Sequence, residues 1–403
     1  MGTSRTKGIT RRRFTLGGIA AAATAAVAGT LSGCGDSQGS DDTSGEPQVI
    51  KDDSKIVSVL EQYKAADVSL EAASTWTLPL GTLLYHSEGT WAAAMMAPES
   101  AQHANTLGVL SLLSGDLTTL IDTPTRGGLY RFYDVRCSDN VFAWIEMDYA
   151  ASKWALMAQS VSAAKLSGKP VKLDSGNKDY DPPLFTVTSS SVIWYKMPST
   201  TGSKTAAASH CYRRGVSDAS ATIVWKSTGR FACRPRVSDG ILTISPRVRN
   251  SEGVYYGLTA LDTANNFNRV AQLVLPTAVK PFEVEYMNGK FVFSVEAAYD
   301  GVGSLGKMGT FIGKEDGPYI YLGREPLASV AGKGSRYFIK SQSSHFLIDT
   351  SAKTYGTLLS PDRSLDYGDY PASEGTTDRF LTYATIRNAQ GIPESVTARL
   401  FSL

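Results

Sequence analysis

The sequence is sparing with the residues on which most enzyme and metal chemistry rests. Its 403 residues include only four histidines, His86, His103, His210 and His345, and no two stand at a ligand spacing, so no metal site is legible. There is no Gly-x-Ser-x-Gly elbow and no cysteine paired with a histidine, which removes the usual signals of nucleophilic catalysis. Gly301-Val302-Gly303-Ser304-Leu305-Gly306 satisfies G-x-G-x-x-G, but both flanks read as strands and no helix follows, so it is expected to be a loop between two strands. No cofactor is expected. Net charge is also small. The formal value is +2, and five basic residues (Arg5, Lys7, Arg11, Arg12 and Arg13) fall among the first 33, which hold no acid. The remainder carries 35 basic against 38 acidic residues, a balance that gives no reason to expect nucleic acid as a partner.

What the chain has in quantity is strand-and-turn grammar, with 37 glycines and 19 tyrosines. Val135-Arg136-Cys137-Ser138-Asp139-Asn140-Val141-Phe142-Ala143-Trp144 reads as strand, tight turn, strand, with Phe142 and Trp144 alternating onto one face. Turn residues followed by a large apolar residue recur around the chain. Taking Trp91, Phe142, Ile193, Leu242, Phe291, Tyr337 and Phe380 as markers, the intervals are 51, 51, 49, 49, 46 and 43 residues. An all-strand repeat of roughly 40 to 50 residues predicts a β-propeller with one blade per repeat. Fourth-strand cues follow six markers, at Leu120-Ile121, Leu173-Asp174, Val224-Trp225, Val274-Leu275, Tyr321-Leu322 and Leu358-Leu359. After Phe380 only 23 residues remain, enough for a second and a third strand, so the outermost strand of the seventh blade must come from elsewhere. The alternating segment Val68 to Thr75 is the candidate, and it would join the two ends and remove a bare sheet edge. The fold class is thus all-β, a seven-bladed β-propeller closed by N- and C-terminal strands, with six full blades and an open ring as the alternative.

In that frame Cys137 and Cys233 stand on inner strands of non-neighbouring blades, too far apart for the roughly 6 Å between Cα atoms that a disulfide spans. Cys211 and Cys233 come from adjacent blades, and buried free thiols are expected in preference to a bridge between them.

The leader resembles two known signals. Arg11-Arg12, any residue, then Phe14 matches the twin-arginine export signal, with Thr15 where that pattern prefers Leu, and residues 16–30 supply its weakly apolar core. Leu31-Ser32-Gly33-Cys34 resembles the lipoprotein box, which implies cleavage before Cys34 and diacylation of its thiol. The domain reading is a signal peptide over 1–33, a polar tether over 34–54 and the propeller over 55–403. The alternative to lipidation is an uncleaved membrane anchor, since about 20 uncharged residues can span a bilayer. Either way the body is expected outside the cytoplasm, on the outer face of the cytoplasmic membrane, with the membrane lipid and the twin-arginine translocase as partners.

Val237-Ser238-Asp239-Gly240 lies in phase with the markers and resembles the turns of TolB-like propellers, whereas Trp-Asp, kelch and sialidase signatures are not met. Propellers bind at the channel mouth, where links between blades and loops between second and third strands gather. The residues expected there are Arg126, Tyr180, Asp181, Arg230, Arg234, Lys280, Arg324, Asp366, Tyr367, Asp369 and Tyr370, with Asp179 beside them. Aromatic rings next to forked cations suit a peptide, protein or cell-envelope ligand bearing carboxylates or phosphates. Asp366 and Asp369 are also candidate oxygen ligands for calcium. The leading expectation is a binding or scaffold lipoprotein. The alternative is an extracytoplasmic enzyme such as a glycan hydrolase or lyase, using Glu283, Glu285 or Asp366.

If the translocase reads the guanidinium pair, replacing Arg11 and Arg12 by lysine blocks export, because lysine lacks the planar fork. Fractionation of cells carrying the double variant should find it retained inside, and normal surface levels would assign export to the general secretory route.

Overall fold

The computed structural model describes residues 53–403 apart from 68, 69, 99, 101, 102, 251, 252, 343 and 366. Arg11, Arg12, Phe14, Cys34, Asp366 and the tether up to residue 52 therefore lie outside the described residues.

Each marker opens a second strand. These strands are Trp91–Met96, Val141–Asp148, Ser191–Lys196, Ile241–Ile244, Lys290–Val295, Arg336–Ser341 and Arg379–Arg387. The second repeat shows why they form. Arg131–Ser138, Val141–Asp148, Lys153–Ser162 and Lys165–Gly176 pair antiparallel in sequence order. Ser138 Oγ accepts the backbone N–H groups of Asn140 and Val141 at 3.3 and 3.0 Å, which closes the first turn. Along Val141–Asp148 the period of two divides the side chains between two neighbours. Phe142 and Trp144 pack with Ala93, Met95 and Val109 of the first repeat, and Ala143 and Ile145 with Phe185 and Trp194 of the third. A strand covered on both faces reads as an unbroken apolar run, as Val-Phe-Ala-Trp-Ile does. In the fourth and fifth repeats the corresponding turns are Asp239-Gly240 and Asn288-Gly289. Their φ angles of 49° and 74°, and of 52° and 70°, are those of the primed hairpin turns that match strand twist.

Seven sheets follow one another around the chain. Consecutive sheets share an apolar cluster, including the last with the first, where Leu84, Ala92 and Leu110 meet Leu381, Val396 and Leu400. The protein is an all-β propeller. Six blades are complete within contiguous chain, as the six-bladed alternative supposes, and the seventh place is filled by a composite sheet. Here Tyr370–Pro371, Arg379–Arg387 and Pro393–Ser402 are completed by Ser74–Pro79, which pairs antiparallel with the last strand.

The closing strand lies further along the chain than Val68 to Thr75. Leu70 and Ala72 instead cover the junction of the sixth and seventh blades, packing near Phe338 and Phe380. Register at the edge is set by Trp76 opposite Ala398 and Leu78 opposite Val396, with Leu78 only 3% exposed. Before reaching that edge the N-terminal stretch binds two other blades. Ile56–Ser58 runs parallel to the outer strand Tyr319–Leu322 of the fifth blade, and Lys64–Ala65 parallel to Thr354–Leu359 of the sixth. The turn of helix Val59–Gln62 between them buries Val59 beside Ile312 and Ile348.

Cys137, Cys211 and Cys233 are buried and none is in a disulfide, as expected. Burial pushes the Cys233 thiol up to about 12 and the Cys211 thiol higher, so neither is ionised at neutral pH. The 301–306 segment is a loop between the second and third strands of the fifth blade, with a single turn at Ser304–Gly306.

Removing residues 35–52 should leave the melting temperature within about two degrees, because that stretch is polar and precedes every described strand. Extending the deletion through Pro79 strips three blades of outer contacts, including Val59, Tyr63 and Leu78, at about 1.5 to 3 kcal/mol for each buried side chain. That is comparable with the stability of a typical domain. Aggregation or early melting is expected, and a parent-like melting curve would refute closure by this strand.

Candidate functional site

The inner strands run in one direction around the channel. Their starts, fed by the links between blades, gather on one face, and their ends, with the tight turns, on the other. At the joint between the first and last blades two inner strands part company. Leu83–Tyr85 of the first blade leads into Ser87–Glu88, which runs parallel to the inner strand of the second blade with Ser87 opposite Cys137. Tyr370–Pro371 of the seventh leads into Gly375–Thr376, which runs parallel to Ala331–Lys333 of the sixth. The Thr376 N–H also donates to Ser238 Oγ of the fourth blade at 2.8 Å, and Ser238 Oγ donates to Thr376 Oγ1 at 3.0 Å. The segment thus crosses the channel as a septum. Gly375 has φ 70°, and a Cβ there would come within 3.0 Å of Ser238 and 3.3 Å of Glu285, so only glycine fits without strain. Cavities of about 410 and 220 Å³ lie against the septum, and they share His86, Ala372, Ser373 and Glu374 as walls.

Around the septum the channel is lined by charge. Asp134 and Arg136, Arg234 and Arg236, and Glu283 and Glu285 are pairs two residues apart, and a strand turns such pairs to one face. Arg234 meets Asp134 at 2.8 Å, and Arg136 lies 3.5 Å from the same carboxylate and 5.0 Å from the centre of the Tyr85 ring. Arg236 bridges Glu283, at 2.8 Å, and Glu374 of the septum. His86 Nδ1 accepts the Glu374 N–H at 3.3 Å.

Burial shifts several of these groups. It raises the Asp134 carboxyl, but Arg136 and Arg234 outweigh it and hold the group below the ordinary range. Burial and the charge of Arg234 bring Arg136 down to about 10, and burial with Arg136 and Arg236 brings His86 down to about 3, so His86 is neutral. Glu285 is only 2% exposed, and neither carboxyl oxygen has a hydrogen-bond partner. Burial and Glu283 push it up to about 8 against the pull of Arg236, so it is largely protonated at neutral pH. Three arginines then face three carboxylates, and the lining is neutral as a whole. Glu285 borders a void too small for a water molecule.

The residues expected at the mouth are dispersed. Asp181 and Arg230 do meet, at 2.6 Å, and Arg230 also donates to the Pro198 carbonyl. Arg234 belongs to the channel lining. The Arg126 backbone N–H is held by Glu146 at 2.8 Å while its side chain points to solvent, and Lys280 and Arg324 are likewise exposed. Tyr180 lies at a cavity between the second and third blades. Asp369 is not available to a ligand or to calcium. It is 1% exposed, because Arg399 and Thr382 hold it between strands of the last blade. Tyr367 and Tyr370 adjoin the buried Lys340, which donates to the Tyr367 carbonyl at 2.6 Å and lies 5.4 Å from the Tyr370 ring. Among the described residues no cluster of three or more His, Cys, Asp or Glu side chains is arranged to hold a metal.

No protein-family model and no curated protein matches the chain. Solved structures do. A prolyl endopeptidase aligns with TM-score 0.53 and 13% identity over 81% of this chain and 50% of its own. The β-propeller domain of the Trilobed protease from Pyrococcus furiosus, described as having an open velcro topology, aligns with TM-score 0.51 and 6% identity over 80% and 94%. A puromycin hydrolase aligns with TM-score 0.50 and 10% identity over 83% and 56%. The chain spans about half the length of the endopeptidase and the hydrolase. At these identities the likeness is one of fold, that of peptidase-type propellers.

The buried carboxyl has a thermodynamic signature. The folded chain keeps the Glu285 proton up to about pH 8, whereas an unfolded chain releases it near 4.5. Between those values the folded state binds more protons, so stability falls as pH rises through the window. Glu285→Gln should flatten this slope and raise the melting temperature at pH 9, by an amount equivalent to a few kcal/mol. Thermal denaturation from pH 5 to 9 measures it, and an unchanged slope would remove Glu285 from the account.

Proposed function

We propose that the protein is a membrane-tethered extracytoplasmic lipoprotein, exported through the twin-arginine route and acylated at Cys34, whose propeller serves as a binding or scaffold body for a protein, peptide or cell-envelope ligand. The observation that carries the binding reading is the state of the channel. Its ionised carboxylates are engaged by Arg136, Arg234 and Arg236, and the septum divides it, so the charges hold the blades together and the faces are left for ligands.

The enzyme alternative asks for two carboxyls separated by a wet cleft that admits a sugar ring. Glu283 is bound to Arg236, and Glu285 borders a void too small for a water molecule. The remaining candidate, Asp366, lies outside the described residues. These observations favour binding over catalysis at the channel.

Anchoring is tested by metabolic labelling with a fatty-acid probe. The wild-type chain should take the label and Cys34→Ser should not, with the variant released from the membrane or left unprocessed, since the thioether-linked diacylglycerol supplies most of the anchoring energy. An unlabelled wild type would refute the lipoprotein reading and leave the propeller fold untouched.

A further inference from the structure

On the rim between the second and third blades is a cavity of about 320 Å³, where Lys153, Lys196 and Lys204 converge with Tyr180. The ammonium groups of Lys196 and Lys204 lie 5.2 and 5.3 Å from the centre of the Tyr180 ring. The nearby acids are already engaged. Asp174 takes Lys196 at 2.6 Å and the Trp194 indole N–H at 3.0 Å. Asp179 accepts the backbone N–H and the hydroxyl of Ser203, each at 2.9 Å. Lys153 and Lys204 form no ion pair among the described residues. The result is a concave site with an excess of positive charge and hydrogen-bond donors not matched by acceptors.

The site is also held in shape. Lys204 belongs to the loop between Ser191–Lys196 and Ser209–Gly215, and that loop is clamped to the link after the second blade. Besides the two Ser203 bonds, the Ser199 N–H donates to the Asp179 carbonyl at 2.9 Å. A Cβ on Gly202 would sit 2.7 Å from the Asp179 Cα, so the loop approaches this closely only because the residue is glycine. Trp154, whose indole N–H bonds the Tyr180 carbonyl at 2.8 Å, supports the link from below.

We infer that this cavity binds a phosphate-bearing ligand. The charged donors lining it are ammoniums set around a hollow, with no guanidinium fork among them. Point charges from several directions suit a tetrahedral oxyanion, whereas a planar carboxylate is matched by the paired donors of arginine. The volume leaves room for the groups that a phosphate ester or diester carries. The inference rests on the binding-body reading, but it concerns a site apart from the charged channel lining and needs neither acylation nor export.

Titration calorimetry on the purified full chain in nonionic detergent tests it, with inorganic phosphate and glycerophosphoglycerol, a soluble phosphodiester, as probes. At least one probe should bind, and the Lys153→Ala/Lys204→Ala double variant should bind it about tenfold more weakly, while Lys314→Ala, in an exposed loop of the fifth blade, binds as the parent does. Binding of the diester would assign the ligand to a polymer or lipid headgroup, and binding of phosphate alone to a free monoester. Asp179→Ala separates a built site from mere charge. It removes a negative group, yet binding should weaken because Lys204 is released. The proposal is overturned if neither probe binds at about 10 mM, if the double variant matches the parent, or if Asp179→Ala binds more tightly. Failure here with the acyl label present would leave the anchored propeller standing. A missing label with phosphate binding intact would do the reverse.

Discussion

The structure depends on one edge pairing, that of Ser74–Pro79 with Pro393–Ser402. A propeller blade buries both faces against its neighbours, so a ring with an incomplete blade loses more than one strand of hydrogen bonds. It leaves apolar side chains such as Val396 and Leu400 with a neighbour on one side only. The N-terminal stretch reinforces the closure by touching the outer strands of the fifth and sixth blades on its way. Three consecutive blades are thus bound by one passage of chain.

The charged channel lining follows from the same geometry. Inner strands of a ring bring charged side chains close together where solvent screens them poorly, so such a side chain is held by a partner, often from another blade. Arg236 has one carboxylate from the fifth blade and one from the seventh, and Arg234 reaches the second. Such pairs contribute little net stability against apolar replacements, yet removal of one partner leaves a buried charge at a cost of several kcal/mol. They therefore act as constraints on which blades can stand opposite one another. Glu285, lacking a partner, keeps its proton instead.

Much of the fold was legible because a propeller writes itself periodically. The markers from Trp91 to Phe380 each fall at the start of a second strand, and the outer-strand cues fall within strands as well, except that Leu275 lies one residue past the end of its strand. The closing strand was misplaced by several residues because Leu70 and Ala72 alternate as an edge strand would, although their apolar side chains cover a junction between blades. The site was less legible. Asp134, Arg136, Arg236, Glu374, Tyr85 and His86 come from four blades, and nothing local in the chain announces that they meet. Their one signal is the charged residue two positions from another on an inner strand, as in Asp134 and Arg136, where an apolar pair would be ordinary. Asp369 illustrates the opposite error. Its position in a link suggested exposure, but its partner Arg399 is 30 residues away, in the last strand.

The pairing of Ser74 with Leu400 has a temporal side. A polypeptide emerges from the ribosome in order, and blades made of contiguous chain can assemble as they appear. The seventh cannot, because its outer strand is made long before its third strand. Until that third strand is made, the early segment has no partner to pair with, and the nearly finished ring carries an open edge prone to association with other chains. Entropy of closure over so long a loop grows only logarithmically, so the delay is set by translation and by the search for register more than by equilibrium cost. A polar stretch ahead of Ile56 and the short, interrupted contacts of the N-terminal passage suit a segment that must wait in solution without aggregating.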